Sequence, residues 1–443
     1  MFTSESSQNP VYDIVGIGFG PANLALAIAI EEHNAGVPSE EKITAAFIER
    51  QPGFGWHRGM LIGGAVMQVS FLKDLATMRN PTSDFGFVPY LHSRGRLVDF
   101  INHKILFPSR EEFHDYLSWA AGNLSHVVRY GHEASQMHLV SRGDATMLVD
   151  VVCRPTDGGA PPRTYRARNV VLAVGLSPTV PPGVRLSGRV WHSSELLHRV
   201  QGIPSADPRR FVVVGAGQSA AECTDYLHRT YPRAEVCAVF SRYGYSPADD
   251  SPYANRIFDP GAVDEFFYTN DDVKAQLMAY HRNTNYAVVD LDLIEDLYRR
   301  EYQEKVRGER RLRMVNASRV LGVSEGPDCA QVTVHHLMDD SITRLDADAV
   351  VFATGYVPTD VRPMLGELAR HCERDARGYP LMERDYRVRT SDAVSCGIYL
   401  QGGTEHSHGI TSSLLSNVAV RAGEILASVL ARRDAKATAL LAA

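Results

Sequence analysis

Residues 12–23, YDIVGIGFGPAN, decide the fold. They read as a buried strand over Tyr12 to Gly16, a glycine turn, and the start of a helix that runs on through LALAIAI. Gly16, Gly18 and Pro21 fall on the spacing of a dinucleotide-binding fingerprint, with proline where a third glycine is usual. The chemistry explains the residue types. Gly16 permits the tight turn, Gly18 leaves the backbone bare for a pyrophosphate, and the helix that opens at Gly20 and Pro21 offers free N–H groups and its dipole to the anion. Proline suits the first turn of a helix because the N–H it lacks would have no partner there. A glycine turn after a strand also serves as a plain turn, so this stretch does not stand alone.

The pattern recurs at residues 211–222, FVVVGAGQSAAE, with Gly215, Gly217 and Ala220 at the same offsets between a strand and a helix. Gln218 and Ser219 open that helix. Two such units in one chain imply two nucleotide sites, the layout of a flavoprotein that also binds a nicotinamide cofactor.

Composition sets bounds on the alternatives. A chain of 443 residues has room for two or three domains. Its 44% apolar and 22% charged content is ordinary for a globular protein, and its net charge of −6 argues against a nucleic-acid partner. The first ten residues lack the basic and apolar regions of a secretory signal, and no apolar run is long enough to span a bilayer, so a cytoplasmic protein without membrane association is expected. Cys153, Cys223, Cys237, Cys329, Cys372 and Cys396 form no C-x-x-C pair. They read as reduced thiols and leave no redox disulfide of the thioredoxin-reductase kind.

Along the chain, Ile43 to Ile48 reads as a strand ending at Glu49, an acid placed to take ribose hydroxyls. Residues 53–80 fit neither a helix nor a strand, yet carry Trp56, His57, Met67, Gln68, Lys73 and Asp74, as a site would; the plainer alternative pairs Lys73 with Asp74 or another acid. Ser109 and Glu112 form a capping box for a helix with Phe113, Tyr116, Leu117 and Ala120 on one face. Residues 127–174 alternate in strand-sized runs, among them Tyr165 to Arg168 and Val170 to Val174. After the second glycine turn, Arg242 follows a strand end where no acid stands, which favours NADPH over NADH unless it is an ordinary surface cation. Leu312 to Val323 reads as a strand, and Ala353-Thr354-Gly355-Tyr356 as a strand-to-turn return. His406 and His408 beside Glu405 supply too few ligands for a metal, and no metal is expected.

VGIGFGPANLALA, MQVSFLKDLATMRNPTS, GAGQSAAE, ADDSPYANRIFDP, NTNYAVVD, ATGY and HGITSSLLS stand in the order found in flavin-dependent N-hydroxylating monooxygenases of siderophore biosynthesis. The chain most resembles their L-ornithine N5-monooxygenases, from about Tyr12 to Leu426. The resemblance implies that Lys73 binds the substrate carboxylate and that Asn255 and Asn285 hold its polar groups. It places Leu414 and Ser416 near the side-chain amine, Met67 and Gln68 against the flavin ring, and Gln218 and Ser219 on the nicotinamide cofactor. Trp56, His57, Thr354 and Gly355 join Glu49 and the glycine turns as cofactor contacts. The family's usual 2′-phosphate arginine falls on Ser241, with Arg242 one residue out of register.

The resemblance implies an α/β protein with two Rossmann-like domains, one for FAD and one for NADPH, and a small helical substrate-binding region. The FAD domain is expected over 1–208 and 347–443, the NADPH domain over 209–346, and the helical region over 251–307. The implied reaction hydroxylates ornithine with O2 and NADPH through a flavin C4a-hydroperoxide, so no catalytic side chain is expected. A lysine N6-hydroxylase or a diamine hydroxylase of the same family is the alternative, since one methylene is worth only ~1–3 kcal/mol of discrimination. Relatives of this type are often homotetramers. A serine-hydrolase elbow at Gly217-Gln218-Ser219 and a non-catalytic nucleotide sensor are rival readings; a colourless protein favours the first, and a protein that binds without hydroxylating favours the second.

Overall fold

The helix that follows the first glycine turn, Pro21–Ala35, is buried on every side from Asn23 to Ile30. A helix apolar all round has no solvent face and belongs in a core. In the computed structural model, which describes residues 10–142, 146–203, 205, 207–281, 284 and 286–442, it packs against the C-terminal helix Val418–Ala442 and against Arg110–Asn123. That last helix starts as expected, with the Ser109 hydroxyl accepting from the Glu112 N–H at 3.1 Å. The Glu112 carboxylate pairs with Arg96 at 3.4 Å.

The strand before the turn, Val11–Ile17, runs parallel to Ala45–Ile48 on one side and Arg163–Leu172 on the other. Thr146–Pro155 and His132–Arg142 extend the sheet antiparallel beyond Arg163–Leu172, and Val128–Arg129 closes its other edge. The two runs expected at Tyr165–Arg168 and Val170–Val174 are one strand. Its first half pairs with Thr146–Pro155 and its second with Gly397–Leu400. Asn169 marks the change of partner, donating to the Asp13 carbonyl at 2.9 Å, and a Cβ at Gly397 would collide with its side chain.

A second sheet is wholly parallel, in the order Leu312–Val315, Glu235–Val239, Arg210–Val214, Ala349–Phe352, Val190–His192. Because its last two members come from 190–192 and 349–352, the positions 208/209 and 346/347 lie within the stretches of chain that build it. Leu312 to Val323, read as one strand, is divided: Ala317 takes a left-handed backbone (φ +43°), and Ser318–Glu325 joins a separate antiparallel sheet with Ala330–His336 and Ile342–Ala347. Two short antiparallel strands, Leu176–Pro178 and Tyr356–Pro358, lie where the chain crosses between the two large sheets.

Asn23 ties the first turn to the far end of the chain. Its amide donates to the Gly18 carbonyl at 2.7 Å and the Ile17 carbonyl at 3.2 Å, and its oxygen accepts from Gln401 at 3.0 Å, with both side chains buried. Asn23→Ala leaves these groups unpaired in the core and should cost about 2–3 kcal/mol; the thermal unfolding midpoint should fall accordingly.

Candidate active site

The first glycine turn is built for close approach. Gly18 has φ +82°, and a Cβ there would strike the Ala173 carbonyl; Gly16, expected to make the turn, lies inside the strand Val11–Ile17, where a Cβ would strike the Phe47 ring, so Gly18 and Gly20 make the turn. Among the described residues a Cβ on Gly20 meets nothing within 4 Å. Gly20 caps the helix with no side-chain bond and Pro21 begins it, so its first N–H groups have no side-chain cap. Glu49 is buried at the end of Ala45–Ile48, accepting from the Phe19 N–H at 2.7 Å and the Gln51 N–H at 2.8 Å. Two bonds leave lone pairs to spare on a carboxylate.

The second turn repeats this geometry. Gly215 sits at φ +145° against the Ala353 carbonyl, and Gly217 caps Gln218–Thr230, again with no side-chain bond. Ala287, itself left-handed at φ +54°, lies against Gly217, and its carbonyl accepts from Arg242 Nη1 at 2.6 Å. Arg242, exposed, thus stands one residue away from the second turn.

A polar network joins the irregular loop at 53–80 to the second turn. Gln68 Nε2 donates to Asp290 Oδ1 at 3.1 Å, and Gln218 Nε2 donates to Asp290 Oδ2 at 2.8 Å. Gln218 Oε1 accepts from the Asp290 N–H at 2.9 Å, and its amide also reaches Glu222 at 3.1 Å. Arg110 grips the buried Glu222 with two bonds, at 2.7 and 2.9 Å. Burial raises the Asp290 carboxyl above its ordinary range, against the pull of the two glutamine amides.

Lys73 is not paired with Asp74. Asp74 is buried and accepts from the N–H groups of Ala76, Thr77 and Phe87 and from the Thr77 hydroxyl. Burial raises its carboxyl, and these donors oppose the rise. Lys73 Nζ instead lies 6.0 Å from the centroid of the Phe258 ring, and among the described residues it has no carboxylate within 4.0 Å. Phe258 ends the turn that begins at Asn255, whose amide donates to the Asp250 carbonyl at 2.7 Å. That turn packs on Ile410–Ser413, just before Leu414 and the buried Ser416. Lys73, Asn255, Leu414 and Ser416 therefore share one locality. Asn285 lies outside the described residues.

Two more of the expected cofactor contacts lie close to the short crossing strand Tyr356–Pro358. Trp56, His57, Tyr356 and His192 form a chain of rings with centroids 4.7, 6.3 and 5.0 Å apart. His192 reaches the Gly355 carbonyl at 3.1 Å, and the Thr354 hydroxyl donates to the Thr179 carbonyl. Met67 is buried, its N–H donating to Pro108. Ser219 is half-buried on the second nucleotide helix. His406 and His408 go to different backbone carbonyls, Pro380 and Arg384. Burial brings His408 down to about 3.

The family model for L-lysine 6-monooxygenase/L-ornithine 5-monooxygenase matches residues 10–358. The chain belongs to this family. An L-ornithine N(5)-oxygenase of Arthrobotrys oligospora is 39% identical, covering 97% of this chain and 90% of that protein. An L-ornithine N(5)-monooxygenase of Pseudomonas aeruginosa is 36% identical over 96% of this chain and 95% of its own. The ornithine N-hydroxylase of Kutzneria sp. 744, solved with reduced FAD, NADP+ and L-ornithine, superposes with a TM-score of 0.91 at 48% identity, covering 96% of this chain and all of that one.

The site of this lysine/ornithine monooxygenase fits a bound flavin on its own atoms. Gln401 Oε1, Thr404 Oγ1, Thr411 Oγ1, Ser412 Oγ and both polar atoms of Asn417 are buried without a partner among the described residues. Such a concentration of unpaired polar atoms is stable only if a ligand or water completes it. Glu405 beside them is raised by burial while it accepts from the Tyr286 hydroxyl at 2.6 Å. Asp290, Glu222 and Arg110 escaped the sequence reading. Asp290 closes the motif NTNYAVVD, yet an acid immediately before an amphipathic helix reads as a cap.

Proposed function

We propose that this chain is an FAD- and NADPH-dependent monooxygenase that hydroxylates the side-chain amine of L-ornithine to N5-hydroxyornithine, for siderophore or related biosynthesis. Family membership and the similarity to ornithine enzymes support the cofactors and the reaction. The observation that carries the substrate is Lys73, a cation with no acidic partner among the described residues, set beside the Asn255 turn and the segment that leads to Ser416. FAD supplies the chemistry when bound: reduced by NADPH, it activates O2 and passes one oxygen to the amine, the other leaving as water.

This chain's own residues bind, orient and exclude water. Lys73 fixes the carboxylate at one end, while Asn255 and Asn285 add hydrogen bonds without charge. Leu414 and the buried Ser416 line the amine end, where a dry environment disfavours the ammonium; a free amine of this kind has a pKa of about 10. Gln68 and Met67 lie against the flavin, with Glu49 on its ribose. Gln218, Ser219 and Arg242 serve NADPH.

Arg242→Ala should raise the KM for NADPH on the order of tenfold by removing a charged phosphate contact, and leave that for NADH unchanged; steady-state kinetics with both cofactors check this. The domain division at 1–208, 209–346 and 347–443 and a homotetrameric assembly are part of this reading. Limited proteolysis and sizing with light scattering test them. Among the described residues no helix is long and apolar enough to cross a membrane.

The deciding experiment is hydroxylamine formation from ornithine, lysine and putrescine with NADPH and NADH in parallel. Product from ornithine supports the reading. Product from lysine or a diamine alone replaces the substrate, and H2O2 with no hydroxylamine removes the function.

A further inference from the structure

We infer that Asp290 is a positioning residue that fixes which end of two glutamine amides faces the cofactors. This rests on the function proposed above. An ionised carboxylate only accepts, so a glutamine bonded to it must present its NH2 group. Gln68 and Gln218 both do so, one on each oxygen of Asp290. Gln218 is held at its other atom too, because the Asp290 N–H occupies its Oε1. With one N–H of Gln68 bonded to Asp290 the amide cannot turn over, so its Oε1 is the acceptor left for a ligand. A flipped amide would set oxygen against carboxylate, and like-signed partial charges at hydrogen-bond distance repel. Gln68 therefore offers an acceptor, and the group it takes is an N–H donor of the cofactors, either the carboxamide of the nicotinamide or the ring N–H of reduced flavin.

The same contact spans the molecule. Gln68 belongs to the irregular loop that carries Lys73, Gln218 is the first residue of the second nucleotide helix, and Asp290 immediately precedes the helix Leu291–Arg307. One carboxylate thus sets the orientation of two amides from opposite cofactor sites, and Arg110 on Glu222 anchors the far side.

The test is a polarity swap in the full-length, FAD-loaded protein. Asp290→Asn keeps the shape but lets the Gln68 amide turn either way. It should weaken NADP+ binding on the order of tenfold if the nicotinamide is the donor, or shift the flavin midpoint potential if the flavin is. In either case a larger share of the NADPH consumed should end as H2O2. Adding Gln68→Glu restores the arrangement with donor and acceptor exchanged: the new amide at 290 donates to the new carboxylate at 68, which still presents oxygen. The double variant should recover NADP+ affinity or potential, and coupling. Gln68→Glu alone, with two carboxylates opposed, should be the worst of the set. A merely structural Asp290 would lower the melting temperature without this pattern of rescue. Unchanged NADP+ affinity, potential and coupling in Asp290→Asn overturn the assignment, as does a double variant no better than the single. A wild-type protein that makes no hydroxylamine overturns the function itself, whatever the variants do.

Discussion

Lys73→Ala is expected to raise the KM for ornithine on the order of a hundredfold or more, the effect of removing one partner of a desolvated charge pair. Flavin reduction by NADPH should be unaffected. The structure explains why the two should separate. Lys73 makes no ion pair with the protein among the described residues, so its loss leaves no buried carboxylate behind. Its neighbour Asp74 keeps all four of its donors, none of which is Lys73. The fold of the loop therefore survives, and the substitution reports on substrate alone. Lys73→Arg should recover part of the affinity, because charge is kept while the planar head differs in reach. Isothermal titration with ornithine, beside stopped-flow reduction of the flavin, measures both halves. An ornithine affinity equal to wild type would show that the carboxylate is held elsewhere.

Gly18→Ala is expected to yield a protein that purifies without flavin colour. The left-handed backbone alone costs a side chain about 1–3 kcal/mol. In addition the new methyl would meet the Ala173 carbonyl, at the end of the strand Arg163–Leu172 that pairs with Val11–Ile17. Backbone on that side cannot move without disturbing the sheet, so the turn must move, and the pyrophosphate cradle moves with it. Gly20→Ala is the matched control, since among the described residues a methyl there meets nothing within 4 Å and the backbone is not left-handed. It should fold as wild type, and any loss of FAD from it would report ligand contact alone. Flavin absorbance per protein and melting temperature, measured on both variants, separate the two causes.

Both glycine turns, the buried helix after the first and the Ser109 cap were legible because each is written in a few adjacent residues whose chemistry is local. What escaped is held together across long sequence separations. Gln68, Arg110, Gln218, Glu222 and Asp290 meet only when two sheets and a helical segment are in place. The division of Leu312 to Val323 was hidden because apolar alternation continues through Ala317, and a left-handed alanine has no composition signal. The single strand over Arg163–Leu172 was read as two because Asn169 interrupts the apolar run, and the partner that makes use of it, Gly397, is far downstream. Lys73 as a candidate was legible only through the motif around it. Its lack of an acid is a fact of three-dimensional neighbourhood that no window of residues displays.

The strand Arg163–Leu172 has a consequence for synthesis on the ribosome. Its second half acquires one of its two neighbours only from Gly397–Leu400, and Gln401 immediately beyond closes on Asn23. A nascent polypeptide shorter than this carries an open hydrogen-bonding edge beside the unfinished pocket, a template for pairing with another chain. Early stop codons before Gly397 should therefore give aggregates rather than a stable fragment.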